Sequence, residues 1–127
     1  MISLLLLDNS KEYRNLLENI FADDHLLLAQ ATDLDTGLEQ LNICPYSAVI
    51  LDPTFTNMNT IKVVSSVIQV LREIPLFIFS IYPFSAEDHK TFYELGVKGV
   101  FYKKSGQFFE FRNIVLKHAL MFPLQGF

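Results

Sequence analysis

Five short, largely apolar runs constrain this chain of 127 residues more than any other feature: Ile2–Leu7, Leu26–Ala31, Ala48–Leu51, Leu76–Ser80 and residues 100–102. A strand with one wet face alternates apolar and polar residues. Continuous runs instead describe strands covered on both faces, as in a parallel sheet sandwiched between helices. The segments between them carry helical stripes. Tyr13, Leu16, Leu17, Ile20 and Phe21 fall on one helical face, with Ser10 placed to cap the first turn. Leu34, Leu38 and Leu41 follow Asp33, a second candidate cap, and Ile61, Val64, Ile68 and Leu71 form a third stripe that stops before Pro75. A fourth helix is expected over 86–95, from Ser85 to the breaker Gly96, and a fifth over 107–121. Strand and helix thus alternate five times. The expected fold is α/β: a doubly wound, five-stranded parallel sheet with right-handed crossovers, taken in the order 2-1-3-4-5.

Composition narrows the class. Half of the residues are apolar, which argues for a single packed domain and against disorder. The net charge of −4 and the lack of a basic stripe argue against nucleic-acid binding by this chain. The one cysteine, Cys44, has no internal partner, and the expectation is a small buried hydrophobe in a reducing compartment. Residues 2–7 are too few for a membrane span and lack the basic flank of a signal peptide, so no membrane association and a cytoplasmic location are expected.

Several of the buried runs end on chemistry. The first stops at Asp8 and Asn9, the third at Asp52, the fourth at Ser80, and the fifth runs into Lys103. In an open parallel sheet, ligands gather beyond the carboxyl ends of the strands, where strand order reverses. For the order 2-1-3-4-5 that point lies between the first and third strands, so topology makes Asp8 and Asp52 neighbours although 44 positions separate them. Two carboxylates, a hydroxyl and an ammonium suit phosphoryl transfer to a carboxylate: acids hold a divalent ion, the hydroxyl and ammonium hold phosphate oxygens, and an exposed aspartate attacks.

On these residues the chain resembles the receiver domain of two-component response regulators. "LLLLDN" is similar to the acidic end of that family's first strand, and "VILDPTFTNMN" to the segment around its phosphorylated aspartate. "PLFIFS" resembles the fourth strand with its terminal Ser/Thr, and "LGVKGVFYKK" the segment around its lysine. The resemblance implies a CheY-like (βα)5 receiver domain over 1–122 and a short tail over 123–127. It implies a phosphoacceptor switch rather than an enzyme, with at most slow self-dephosphorylation. Asp52 would accept the phosphoryl group from a histidine kinase or phosphotransfer protein, and Ser80 and Lys103 would bind it. Mg²⁺ would be held by Asp8, Asn9, Asp52 and the carbonyl of Thr54.

The departures from that pattern carry information too. Asn9 stands where the family has a second acid, so the site lacks one formal charge and Mg²⁺ binding is expected to be weak. Ile81 replaces a small residue and would crowd the pocket. Lys104 replaces a proline, so no cis bond is expected there. Thr56 replaces a common loop proline, and Val100 occupies the place of a switching aromatic. These departures leave a second reading open, a pseudo-receiver that signals by contact without phosphorylation. A bland reading also exists for each acid, since Asp8 or Asp52 alone could simply cap the following helix. His25, His89 and His118 lack ligand spacing and are expected at the surface. The loop after the first strand, "DNSKEY", lacks the Ser/Thr/Gly-rich composition of a flavin site, and "GVKG" opens no helix that could cradle phosphate.

The last helix carries more apolar residues than one stripe needs: Phe108, Phe109, Phe111, Ile114, Val115, Leu116, Leu120, Met121 and Phe122. Adjacent helical residues diverge by about 100°, so at least one of the first three rings should face outward. In the resembling family the fourth helix, fifth strand and fifth helix form a common contact face, and a homodimer or partner is expected there.

Overall fold

Each apolar run is a strand in the structure, a computed structural model that describes residues 2–23, 25–104 and 106–121. The order is β1 (Ile2–Leu7), α1 (Lys11–Ile20), β2 (Leu26–Ala31), α2 (Leu34–Ile43), β3 (Ala48–Leu51), α3 (Thr60–Leu71), β4 (Leu76–Ser80), α4 (Ala86–Leu95), β5 (Gly99–Tyr102) and α5 (Phe108–Ala119). The five strands are parallel in the expected order 2-1-3-4-5. Phe122 and residues 123–127, which carried part of the apolar-helix argument and the tail boundary, lie outside the described residues.

Local chemistry places the helix ends. Ser10 Oγ accepts the Tyr13 amide, Asp33 the Thr36 amide and Ser85 the Asp88 amide, so all three expected caps form. Asn59 caps α3 in the same way. Gly96 ends α4 in the left-handed region at φ 111°, where a side chain would be strained. Helix α5 has no side-chain cap and begins at Phe108, one residue later than the sequence pattern suggested.

The sheet is buried unevenly. Strands β3 and β4 are fully buried and β1 nearly so, whereas β2 and β5 are mostly half-buried and Leu27 of β2 is exposed. Coverage of both faces therefore holds for the three inner strands and weakens at the two edges, which have a neighbour on one side only. Alternation along the inner strands builds two cores. Leu5, Leu7, Val49, Leu51, Leu76 and Ile78 pack with residues of α2, α3 and α4, among them Val63, Val64, Val67 and Phe92. Leu4, Leu6, Ala48, Ile50, Phe77 and Phe79 pack with α1 and α5, through Leu17, Phe21, Phe111 and Val115. Each of these larger side chains contributes roughly 1.5–3 kcal/mol on burial. Helix α2 approaches β1 closely at Gly37, where a Cβ would collide with the Leu7 side chain.

Register then sets the stage for the strand ends. Leu7 and Leu51, the last residues of β1 and β3, are paired, and the Asp52 amide donates to the Leu7 carbonyl at 3.0 Å. The next residue of each strand is an aspartate, so both acids leave the sheet side by side.

Candidate functional site

Lys103 joins the two acids. It follows the last residue of β5, anchored by its amide to the Ser80 carbonyl at 3.0 Å, and its side chain reaches back across β4. Its Nζ donates to Asp8 Oδ2 at 2.7 Å and to Asp52 Oδ2 at 2.8 Å. All three residues are buried. Burial alone would lower the Lys103 pKa, but hydrogen bonds and Coulomb attraction from Asp52 and Asp8 outweigh it and hold the ammonium above the ordinary lysine value. One cation against two anions leaves the cluster with an unbalanced negative charge, which is the reason a further cation could be attracted there.

The remaining carboxylate oxygens are oriented by backbone. Asp8 Oδ1 accepts the Ser10 amide at 3.0 Å, and Asp52 Oδ1 accepts the Thr54 amide at 3.0 Å and the Thr54 hydroxyl at 2.6 Å. Gln30 Nε2 donates to the Asp8 carbonyl at 2.7 Å, tying β2 to the end of β1. The Lys103 ammonium also lies 4.5 Å from the ring centroid of Tyr13 and 5.9 Å from that of Phe79. These groups open into a pocket of about 410 Å³, lined by Asp8, Asn9, Tyr13, Asp52, Thr54, Ile81, Lys103 and their neighbours.

The sequence-predicted residues divide into two groups. Asp8, Asn9, Asp52, Thr54 and Lys103 all line this pocket. Ser80 does not: it is fully buried at the end of β4, and its Oγ accepts the Tyr82 amide at 3.1 Å. Ile81, the bulky departure, does line the pocket. The Asn9 amide nitrogen is turned toward the Phe55 carbonyl, at a long 3.5 Å. No described peptide bond is cis. Among the described residues no group of three or more His, Cys, Asp or Glu side chains is placed to hold a metal. The oxygen-only set of Asp8, Asp52 and neutral Asn9 nonetheless suits a hard cation that keeps much of its water.

Other expectations need correction. Cys44 is exposed rather than buried, because it is the C-cap residue of α2, where the chain turns away from the core toward Pro45. His25 is exposed, and His89 and His118 are half-buried. His89 Nε2 lies 2.6 Å from Tyr102 Oη, and His118 Nδ1 lies 2.9 Å from the Ile114 carbonyl, with its ring edge-on to Phe77. Of the three aromatic residues that open α5, Phe111 is buried and Phe109 is the outward ring, 83% exposed. Phe109 lines a shallow pocket with Asn19 and Ile20 of α1, so it adds apolar surface beside α1 and not between α4 and β5. Tyr13 was legible only as a member of a core stripe. Its signal was its place, as the stripe residue nearest the end of β1.

No protein-family model matches the sequence, and no curated protein does. Solved structures do. CheY4 of Vibrio cholerae, a chemotaxis protein, superposes with a TM-score of 0.72 at 19% identity over 98% of this chain and 99% of its own. The receiver domain of the Francisella response regulator 1452 gives 0.75 at 17% identity, over 94% and 99% respectively. NtrX of Brucella abortus gives 0.75 at 18% identity over 94% of this chain, which spans only 28% of the NtrX chain. The chain therefore has the CheY-like fold of response-regulator receiver domains.

Proposed function

We propose that this chain is a receiver domain that accepts a phosphoryl group on Asp52 and thereby changes its contacts with a partner or a second copy. One observation carries the reading: a single buried ammonium held by both strand-end acids, at the mouth of an open pocket. Asp52 lies at the centre of the sheet, and a phosphoryl group on it would arrive next to Lys103, whose charge would offset that of the phosphoryl oxygens. A histidine kinase or phosphotransfer protein would be the donor. Asp8 and Asp52, with the neutral oxygen of Asn9 and the carbonyl of Thr54, would hold Mg²⁺, which supplies charge neutralisation on the phosphate. Switching would act through the α4–β5–α5 surface, whose first two elements are joined by the contact of His89 with Tyr102. No helix among the described residues is long and apolar enough to cross a membrane.

A contact-only module is the second reading, and it rests on specific features. Asn9 brings no charge and is turned toward Phe55, Ile81 narrows the pocket, and the Ser80 hydroxyl is engaged with the backbone of Tyr82. Incubation with acetyl phosphate and Mg²⁺, followed by mass spectrometry, separates the two. Incorporation of one phosphoryl group, lost in Asp52→Asn, supports the switch. An unlabelled protein with an intact fold supports the module.

A further inference from the structure

We propose that Tyr13 is a positioning residue for Lys103, its ring closing the side of the ammonium that the two carboxylates leave open. The contacts form a closed circuit. Asp8 Oδ1 accepts the Ser10 amide at 3.0 Å, and Ser10 Oγ accepts the Tyr13 amide at 3.2 Å. The Tyr13 ring lies 4.5 Å from Lys103 Nζ, and that Nζ returns to Asp8 Oδ2 at 2.7 Å. The acid that binds the ammonium thus also fixes, through one serine, the backbone that presents the ring.

Phe79 packs edge-on against the same ring, at 6.3 Å and 88°, lies 5.9 Å from the ammonium itself, and is stacked on Phe111 at 4.5 Å. The ring therefore touches both the aromatic core and the charge. An ammonium has three protons, and two point at carboxylate oxygens 2.7 and 2.8 Å away. The negative face of an aromatic ring suits the third side, because it attracts the cation without competing for the acids. A leucine would fill the same stripe position in α1 equally well as core. The aromatic ring is what the charge requires.

The consequence for Asp52 rests on the proposed phosphorylation. Loss of the phosphoryl group needs water to add to phosphorus, the bond from phosphorus to the Asp52 oxygen to break, and the Asp52 carboxylate to separate from inorganic phosphate, which carries away both protons of the water. A ring that covers the flank of Lys103 slows that step by keeping water off one side of the phosphoryl group.

The test reads the lysine itself. In ¹H–¹⁵N spectra tuned to lysine side chains, the unphosphorylated protein should show a Lys103 ammonium signal that persists at neutral pH, with protons shifted upfield by the ring and a nuclear Overhauser contact to Tyr13. Tyr13→Phe should keep both features, and Tyr13→Leu should lose the upfield shift and the persistence. A Tyr13→Leu protein with an unchanged Lys103 signal overturns the assignment. If that variant does not fold, absence of the ring contact in the unmutated protein overturns it instead. After labelling with acetyl phosphate and removal of the donor, Tyr13→Leu should lose the label roughly two- to fivefold faster than either aromatic form. Equal lifetimes in all three overturn the role in the phosphorylated state. An unmutated protein that takes no label contradicts the proposed function alone, because the ammonium signal still decides the place of Tyr13.

Discussion

The two faces of the sheet are built from different materials. The face under α2, α3 and α4 is largely aliphatic, with the contact of Phe84 and Phe92 in its core and the Tyr82–Phe84 and His89–Tyr102 contacts at its margin. The face under α1 and α5 is a run of aromatic contacts: Phe111 meets Phe21, Phe79 and Phe101, and Phe79 meets Tyr13 and Phe108. Aliphatic packing is non-directional and serves to cover a surface. Rings add a directional electrostatic preference, and on this face they extend from the core to the ammonium of Lys103. The difference teaches that one side of this sheet is scaffold, while the other is scaffold and also a wall of the charged site.

The hardest test of that comparison removes the charge where the site meets the aromatic face. Lys103→Met leaves two buried carboxylates facing each other, and the expected loss is about 3–5 kcal/mol in urea unfolding at neutral pH. The sign of its pH dependence follows from the raised pKa. A group whose pKa is higher in the folded state contributes fully below its unfolded value, here the ordinary 10.5, and loses that contribution as pH rises through the folded value. The stability gap between the unmutated protein and Lys103→Met should thus be constant from neutral pH to about 10 and narrow above it. A gap that stays constant well above that range would contradict the ion-pair geometry.

The same deletion on each face sharpens the comparison. Phe111→Ala and Phe92→Ala each remove a fully buried ring, and each should cost about 3–5 kcal/mol. Among the described residues Phe111 has three ring partners and Phe92 has one, so Phe111→Ala should be the costlier by roughly 0.5–1.5 kcal/mol or more. Equal losses would mean that the aromatic face packs as ordinary hydrocarbon.

A smaller effect tests the polar end alone. Asn9→Asp adds a carboxylate beside Asp8 and should tighten Mg²⁺ binding by on the order of a kcal/mol or more, read by titration. Equal affinity in both forms would place Asn9 outside the metal's reach. The smallest effect belongs to the outer side of α5. Phe109 is mostly exposed, so Phe109→Glu should change stability by no more than about 0.5 kcal/mol. Sedimentation of the same variant reports whether the ring carries self-association, since a dimer that weakens would assign the contact to the α1 side.

How far the sequence could be read followed the range of the interactions involved. Apolar runs and helical stripes, the Ser10, Asp33 and Ser85 caps and the Gly96 stop are decided within a few residues by hydrogen bonds and backbone freedom. All are found where the pattern put them. Right-handed crossovers on that alternation give a doubly wound sheet without selecting its order, but once the order 2-1-3-4-5 is taken, the meeting of Asp8 and Asp52 follows from the sequence. Side-chain destinations were not. Lys103 and Asp8 lie 95 positions apart, and that one ammonium serves both acids depends on how far β5 projects beside β4. The same holds for the Ser80 hydroxyl turned to Tyr82, for His89 against Tyr102, for the outward turn of Cys44 and for Phe109 beside α1. A rotamer is chosen by whichever neighbours the assembled layers bring within a few ångströms, and those neighbours come from elements that local patterning cannot see. The sequence by itself therefore determined the scaffold and which residues would stand at its carboxyl edge. Only the tertiary structure decided which of them touch, and that a tyrosine from a core stripe faces the charge.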